Sequence, residues 1–234
     1  MEIKNKVIVI TGASGGIGLA TARYCAVHGA KLALAARSED KLVAIAKELP
    51  NAVAVPTDMR KPADVKNMIA KAIEAYGRVD ILINNAGQGM YGPIEDIDIE
   101  KYKEIMELNV YGVLRAMQAV IPEMRKQGGG MIVNVSSMVS KNSFPGLAAY
   151  ASTKYAVNAI SLTARKELEK DHIIVSLFHP KMTATDFMKN AIGDHPNVTQ
   201  SSRNGEPMPQ VDTPEQVAEK IGALMQSEEL ESTM

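Results

Sequence analysis

The chain has one cysteine, no tryptophan and only three phenylalanines in 234 residues. A single cysteine, Cys25, excludes an internal disulfide framework and fits a reducing compartment. Its place in an apolar helical pattern reads as a packed thiol rather than a reactive one. Charge of neither sign dominates: 26 Lys+Arg stand against 27 Asp+Glu, a net charge of −1. That balance argues against nucleic acid or an anionic membrane surface as the main partner. No apolar run approaches the roughly 18 residues that suggest a transmembrane helix. The opening MEIKNKVIVITG enters a strand-like run with no cleavable leader pattern, so the sequence reads as cytoplasmic. His28, His172, His179 and His195 are scattered without metal-ligand spacing, and no metal is expected.

What is present is alternation. Short apolar runs at Val7–Thr11, Leu32–Ala36, Ala52–Pro56, Ile81–Asn84, Met131–Ser136 and Ile173–Phe178 read as strands covered on both faces. Amphipathic stretches at about 16–28, 39–49, 62–76, 99–127, 148–170 and 213–226 read as helices. Strands alternating with helices predict βαβ units and an α/β fold, with a doubly wound parallel sheet and helices on both faces. Length predicts a single domain over residues 1–234. Pro62, Gly29, Gly77 and the capping box at Thr213–Gln216 mark helix ends. Gly128–Gly130 reads as a flexible break before a strand. The stretch at 188–212, rich in Asn, Pro, Gly and Ser, reads as part of a lid at about 182–209.

Between the first strand and the first helix stands Thr11-Gly12-Ala13-Ser14-Gly15-Gly16-Ile17-Gly18. There a backbone free of side chains can approach a pyrophosphate, and the helix N-terminus offers N–H groups to the anion. A glycine string in a βαβ unit is the Rossmann-type signature of a dinucleotide site. The second strand ends without an acid, and Arg37 and Ser38 follow at once. An arginine there can pair with a 2′-phosphate, so NADP(H) is expected over NAD(H). Tyr150 and Lys154 lie four apart on one helix face. A neighbouring ammonium lowers a phenol's pKa, which would make Tyr150 a general acid or base.

In this order of motifs the chain resembles the classical short-chain dehydrogenase/reductase family over about residues 5–190. TGASGGIG at 11–18 matches the family's glycine motif, Asn84–Gly87 its NNAG, and Tyr150–Lys154 its YxxxK. Asp58, Asn109 and Ser137 stand at further family positions. The resemblance implies an NADP(H)-dependent enzyme that interconverts a carbonyl compound and its secondary alcohol. Its catalytic set would be Asn109, Ser137, Tyr150 and Lys154. Ser137 would bond the substrate oxygen, Lys154 the nicotinamide ribose, and Asn109 a water that leads protons to Lys154. The cofactor would be held by Gly12, Ser14, Gly15, Gly16, Ile17, Gly18, Arg37, Ser38, Asp58, Met59, Asn85, Ala86, Gly87, Tyr150, Lys154, Pro180, Thr183 and Thr185. Two departures stand out. Lys181 replaces the family's usual glycine after Pro180, and the seventh strand is missing or displaced.

Substrate contacts are expected from loops 88–93, 138–149 and 182–209, through Met90, Tyr91, Met138, Phe144, Leu147, Phe187 and Met188. A small-molecule partner with an apolar part follows. The resemblance also implies a homodimer or homotetramer through helices 99–127 and 148–170, with Val113, Met117, Val120, Ala156, Ile160 and Thr163 as a candidate face. The alternative function is a non-catalytic NADP(H) sensor or complex subunit. A sugar-nucleotide epimerase of the extended relatives is disfavoured by length.

Overall fold

The computed structural model describes residues 1–193 and 211–234. The strands are β1 (Val7–Thr11), β2 (Lys31–Ala36), β3 (Ala52–Pro56), β4 (Ile81–Asn84), β5 (Gly130–Val135), β6 (Ile173–His179) and β7 (Glu231–Thr233). They form one parallel seven-stranded sheet in the order β3-β2-β1-β4-β5-β6-β7. The helices are α1 (Gly16–Val27), α2 (Glu39–Glu48), α3 (Pro62–Tyr76), α4 (Ile99–Met106), α5 (Gly112–Lys126), α6 (Ala148–Leu168) and α7 (Pro214–Ser227). The expected fold class holds, with strand bounds within a residue of the sequence reading.

Strand alternation sorts the core into two layers. Ile8 and Ile10 pack on one face with Ala22 and Cys25 of α1, Leu42 of α2, and Val217 and Ile221 of α7. Val9 packs on the other face with Val65 and Met68 of α3, Val120 of α5 and Val157 of α6. Chain order reverses between β1 and β4, so their carboxyl ends open the crevice where such sheets bind ligands. Cys25 is fully buried, and burial pushes its thiol up to about 12, which makes it the packed thiol expected.

Four expectations are corrected. The seventh strand exists: Glu231–Thr233 pairs parallel with Leu177–His179. Its three residues are polar and at most half-buried, so no apolar period announces them. The helix at 99–127 is interrupted by a π-helical turn, Glu107–Tyr111. Gly129 and Gly130 are close-approach positions rather than a flexible break: added Cβ atoms would lie 2.6 Å from the His172 carbonyl oxygen and 2.7 Å from the Met124 side chain. Val113, Met117 and Val120 belong to the core under α5, so they are not an outward face. Among the described residues no helix is long and apolar enough to cross a membrane.

Candidate active site

β1 and β4 are pinned together at their carboxyl ends by Thr11. Its hydroxyl accepts from the backbone N–H groups of Asn85 and Ala86, each at 3.0 Å, and Asn85 Nδ2 returns 2.9 Å to the Thr11 carbonyl. This sets the 85–87 backbone against the glycine loop. A Cβ at Gly12, where φ is +69°, would sit 2.9 Å from Asn85 Nδ2. A Cβ at Gly18 would collide with the Gly12 carbonyl and come 2.6 Å from Asn85 Nδ2. Gly15 is different: its backbone is extended and nothing lies within 4 Å of an added Cβ. Gly15 caps α1 with no side-chain hydrogen bond, and the first turn of α1 carries no acid. The N-terminal dipole end therefore faces open space uncompensated, as an anion site requires. Ser14 and Ile17 are half-buried beside it, and a Cβ added at Gly16 would lie 3.2 Å from the Thr185 methyl group.

Arg37 and Ser38 are exposed just beyond β2, and Ser38 begins α2 without a side-chain cap. Asp58 is held by Arg60, whose Nη2 lies 2.8 Å from Asp58 Oδ2. The Arg60 hydrogen bonds keep the Asp58 carboxyl below its ordinary range, outweighing its partial burial, and Arg37 adds a weaker pull. The sequence reading missed Arg60, although an arginine two residues after a candidate aspartate was its signal. Met59 is buried, with its carbonyl against Gly112.

Across the crevice, α6 presents Tyr150 and Lys154, both buried. The Ser137 side chain stands beside the Tyr150 phenol and favours its ionised form. Lys154 Nζ lies 5.9 Å from the Tyr150 ring centroid and donates to the Val135 carbonyl at 2.9 Å. Asn109 sits in the π-turn, fully buried. Its amide exchanges hydrogen bonds with the Gln88 backbone, each 2.9 Å, and its Nδ2 reaches Thr153 Oγ1 at 3.1 Å. A Cβ at Gly87 would stand 3.3 Å from Asn109 Oδ1 and 3.6 Å from Lys154 Nζ, so glycine keeps a gap between them. Ser137 opens a short turn, Met138–Ser140, tied to the strand end by Met138 N–H on the Pro180 carbonyl at 3.1 Å.

The electrostatics correct one expectation. Burial pushes the Tyr150 phenol well above its ordinary value; the Ser137 side chain opposes this and nearby Tyr91 adds to it. Burial also brings Lys154 down to about 8. In the chain alone, therefore, Lys154 does not depress Tyr150, because loss of water acts on both groups and weakens the ammonium itself.

The substrate side is partly as expected. Phe187 tilts onto Tyr150 with ring centroids 5.5 Å apart, and it fills the space beside Gly89. Met90, however, packs with Ile105 and Ala149, and Phe144 faces solvent. Thr183 bridges to Asp212 and Ile192 to Met90, so the described part of the 182–209 segment is docked on the crevice. Positions 194–210 of that segment lie outside the described residues. Lys181 is exposed. A cavity of about 640 Å³ lies at the opposite end of the sheet beside Lys6, Arg78, Asp80 and His172. In this topology ligands bind at the carboxyl ends, so that cavity is not the reaction site.

A glycine-rich loop facing Ser137 and the buried Tyr150 and Lys154 across a switch point fits the α/β oxidoreductases. The comparisons with known proteins narrow that class. The family model for short chain dehydrogenases matches residues 6–195, and the chain belongs to this family. An uncharacterized oxidoreductase of Staphylococcus saprophyticus is 39% identical over 189 residues, covering 79% of this chain and 77% of the relative. A 3-ketoacyl-(acyl-carrier-protein) reductase from Brucella melitensis, solved with NADH, superposes with a TM-score of 0.88 at 29% identity, covering 99% and 98% of the two chains. An alcohol dehydrogenase from the archaeon Thermococcus sibiricus, solved with 5-hydroxy-NADP, gives 0.84 at 31% identity, covering 99% and 96%.

Proposed function

We propose that this oxidoreductase interconverts a carbonyl compound and its secondary alcohol, that it prefers NADP(H) to NAD(H), and that Tyr150 handles the proton. The observation that carries this reading is the buried Tyr150 phenol, beside Ser137 and on one helix face with Lys154, at the carboxyl ends of the strands. The nicotinamide, when bound, supplies or accepts the hydride. The residues present fit such a group: open space at Gly15, an uncompensated helix N-terminus, an exposed Arg37 and a gap above Gly87. Gly12, Ser14, Gly15, Gly16, Ile17 and Gly18 would hold the diphosphate, with Thr185 alongside. Arg37 and Ser38 would hold the 2′-phosphate, and Asp58 and Met59 would border the adenine. Asn85, Ala86, Gly87, Pro180 and Thr183 would form the nicotinamide side.

The chain's own residues then divide the work. Ser137 donates to the substrate oxygen as negative charge develops there. The Tyr150 phenol, protonated at neutral pH, gives its proton to that oxygen in the reducing direction and takes it back in oxidation. Lys154 holds the ribose hydroxyls, and Asn109 orders the path by which the proton is replaced. Phe187 and Tyr91 give the substrate pocket an apolar wall, beside the described residues 182–193. The chain pairs through α6 and the helices at 99–127, where Tyr111, Tyr155 and Leu162 are exposed.

The glycine loop gives a clean pair of variants. Gly15→Ala adds a methyl group to open, extended backbone, so stability is unchanged within about 0.5 kcal/mol while NADPH affinity falls at least about tenfold. Gly18→Ala forces a methyl onto the Gly12 carbonyl and destabilises by about 1–3 kcal/mol. Thermal melts with and without NADPH check both; unchanged NADPH affinity in Gly15→Ala removes the diphosphate from the loop.

The cofactor preference is read by titrating nicotinamide fluorescence with NADPH and NADH. Arg37→Glu weakens NADPH by about 10- to 100-fold, as expected from losing a charged hydrogen bond worth about 1.5–3 kcal/mol, and leaves NADH within about twofold. Equal losses for both cofactors would sink the 2′-phosphate reading. Substrate class is read from NADPH oxidation over aliphatic and aromatic ketones, α-diketones and 3-oxoacyl thioesters.

A further inference from the structure

The turn that carries Ser137 is gripped from below by a ring of polar groups that the hydride transfer does not use. His179 ends β6 and is fully buried. Its Nδ1 lies 3.4 Å from the Ser137 carbonyl oxygen and 3.4 Å from Ser140 Oγ. Its Nε2 lies 3.0 Å from Glu231 Oε1 of β7, off the axis of a good hydrogen bond. Lys141 Nζ, at the far end of the same turn, donates to that Glu231 oxygen. The ring therefore closes through Ser137, His179, Glu231 and Lys141.

Counting hydrogens shows what the ring can do. The one hydrogen of Ser140 Oγ goes to the Ser137 carbonyl over 2.6 Å, and the same oxygen accepts from Asn158 Nδ2 at 2.9 Å. His179 Nδ1 thus faces two acceptors and is best protonated. In a neutral ring Nε2 then sets a bare lone pair against the Glu231 carboxylate; only the imidazolium donates on both sides. Burial lowers His179 below its ordinary value; the Ser137 carbonyl raises it, Lys141 lowers it and Glu231 raises it. The other charged group facing this cluster is Arg165 of α6, which donates to the Val175 carbonyl at 3.0 Å and to the Leu230 carbonyl.

We propose that His179 and Glu231 are positioning residues, through which β7 fixes the Ser137 carbonyl and hence the hydroxyl that stands beside Tyr150. This rests on the reading of Ser137 and Tyr150 as the reacting pair. It gives the polar strand β7 a task inside the reaction site, although none of its side chains touches Tyr150.

The test is an NMR titration of the ¹⁵N-histidine- and amide-labelled full chain. In the unchanged protein His179 titrates below 6.5, and the amides of Ser137 to Lys141 follow with the same midpoint. Glu231→Gln removes the carboxylate that favours the imidazolium and moves the midpoint down; Lys141→Met removes an opposing charge and moves it up. Both side chains are partly exposed, so both variants fold. With the best substrate of the carbonyl panel, Glu231→Gln lowers kcat about 5- to 10-fold, leaves KM and the NADPH Kd within about twofold, and has no further effect in a Ser137→Ala background. Ser137 amides that ignore the His179 midpoint, or an equal loss in Ser137→Ala, overturn the proposal. If Glu231→Gln turns over normally while Tyr150→Phe is inactive, this inference fails and the hydride-transfer reading stands. If Tyr150→Phe stays active, that reading fails, and the assigned positioning role falls with it whatever the amides show.

Discussion

Lys154→Met abolishes turnover, by at least about 10³-fold, and at the same time raises the melting temperature. The reasoning is electrostatic. Burial holds the Lys154 ammonium down from 10.5 to about 8. A shift of that size corresponds to about 3 kcal/mol of stability given up at neutral pH to keep a cation out of water. Methionine keeps most of the volume and removes the charge. It also removes the hydrogen bond to the Val135 carbonyl, a loss of about 1 kcal/mol. The balance is a gain of about 2 kcal/mol, or about 4–8 °C for a chain of this length. The sign with pH is fixed by the direction of the shift. A depressed lysine contributes stability above its unfolded value and loses it as the pH falls through its folded value. The advantage of Lys154→Met is therefore full below pH 8, shrinks between 8 and 10.5, and closes above that. Melts of both chains across about pH 7–11 check it. A difference that does not change with pH would mean that Lys154 carries no buried charge.

Tyr150→Phe loses about 10²–10⁴-fold in turnover with the NADPH Kd unchanged within about twofold. The variant deletes one buried hydroxyl beside Ser137 and leaves the ring against Phe187. A sensor that only binds the dinucleotide would not notice the change, so this variant separates the enzyme from the alternative. The direction of the Tyr150 shift adds a pH signature. The phenol stays protonated through neutral pH, so reduction is flat there, whereas oxidation needs the phenolate and its rate climbs toward alkaline pH. Rates of NADPH and NADP⁺ turnover between about pH 6 and 10 read this directly. An oxidation rate that falls over that range would take the proton chemistry away from Tyr150.

The fold was legible in the sequence where burial leaves a period. β1 and β4 begin and end where the apolar runs do, because both faces of these strands are covered and no polar residue interrupts them. The loop at 11–18 and the pair Tyr150 and Lys154 were legible because their chemistry fixes their spacing. β7 was not, since its pairing is made by backbone against Leu177–His179 and its side chains carry no hydrophobic signal. The sense of the Tyr150 shift was not legible either. Spacing on a helix places an ammonium near a phenol, but only the packing of α6 against the sheet shows that both are dry. The contact of His179 with Glu231 joins residues far apart in the chain, and only the register of β6 with β7 brings them together. Asparagine is a poor helix former, which suits Asn109 to an irregular turn but does not say of which kind.

That turn has a consequence for how the long helical arm tolerates changes of length. Each residue of an α-helix advances the side chains by about 100°, and a π-turn accommodates one residue more than the winding calls for. The surplus is absorbed within Glu107–Tyr111, so Ile105 before it and Val113, Met117 and Val120 after it all point inward. A one-residue change of length elsewhere in α4 or α5 would rotate one buried stripe out of phase with the other. At Glu107–Tyr111 the arm already holds a spare step: its loss would straighten the rod, keep both stripes facing inward, and swing the Asn109 amide away from Gln88 and Thr153. The bend is thus a place where the geometry of the reaction site is uncoupled from the packing of the helices that carry it.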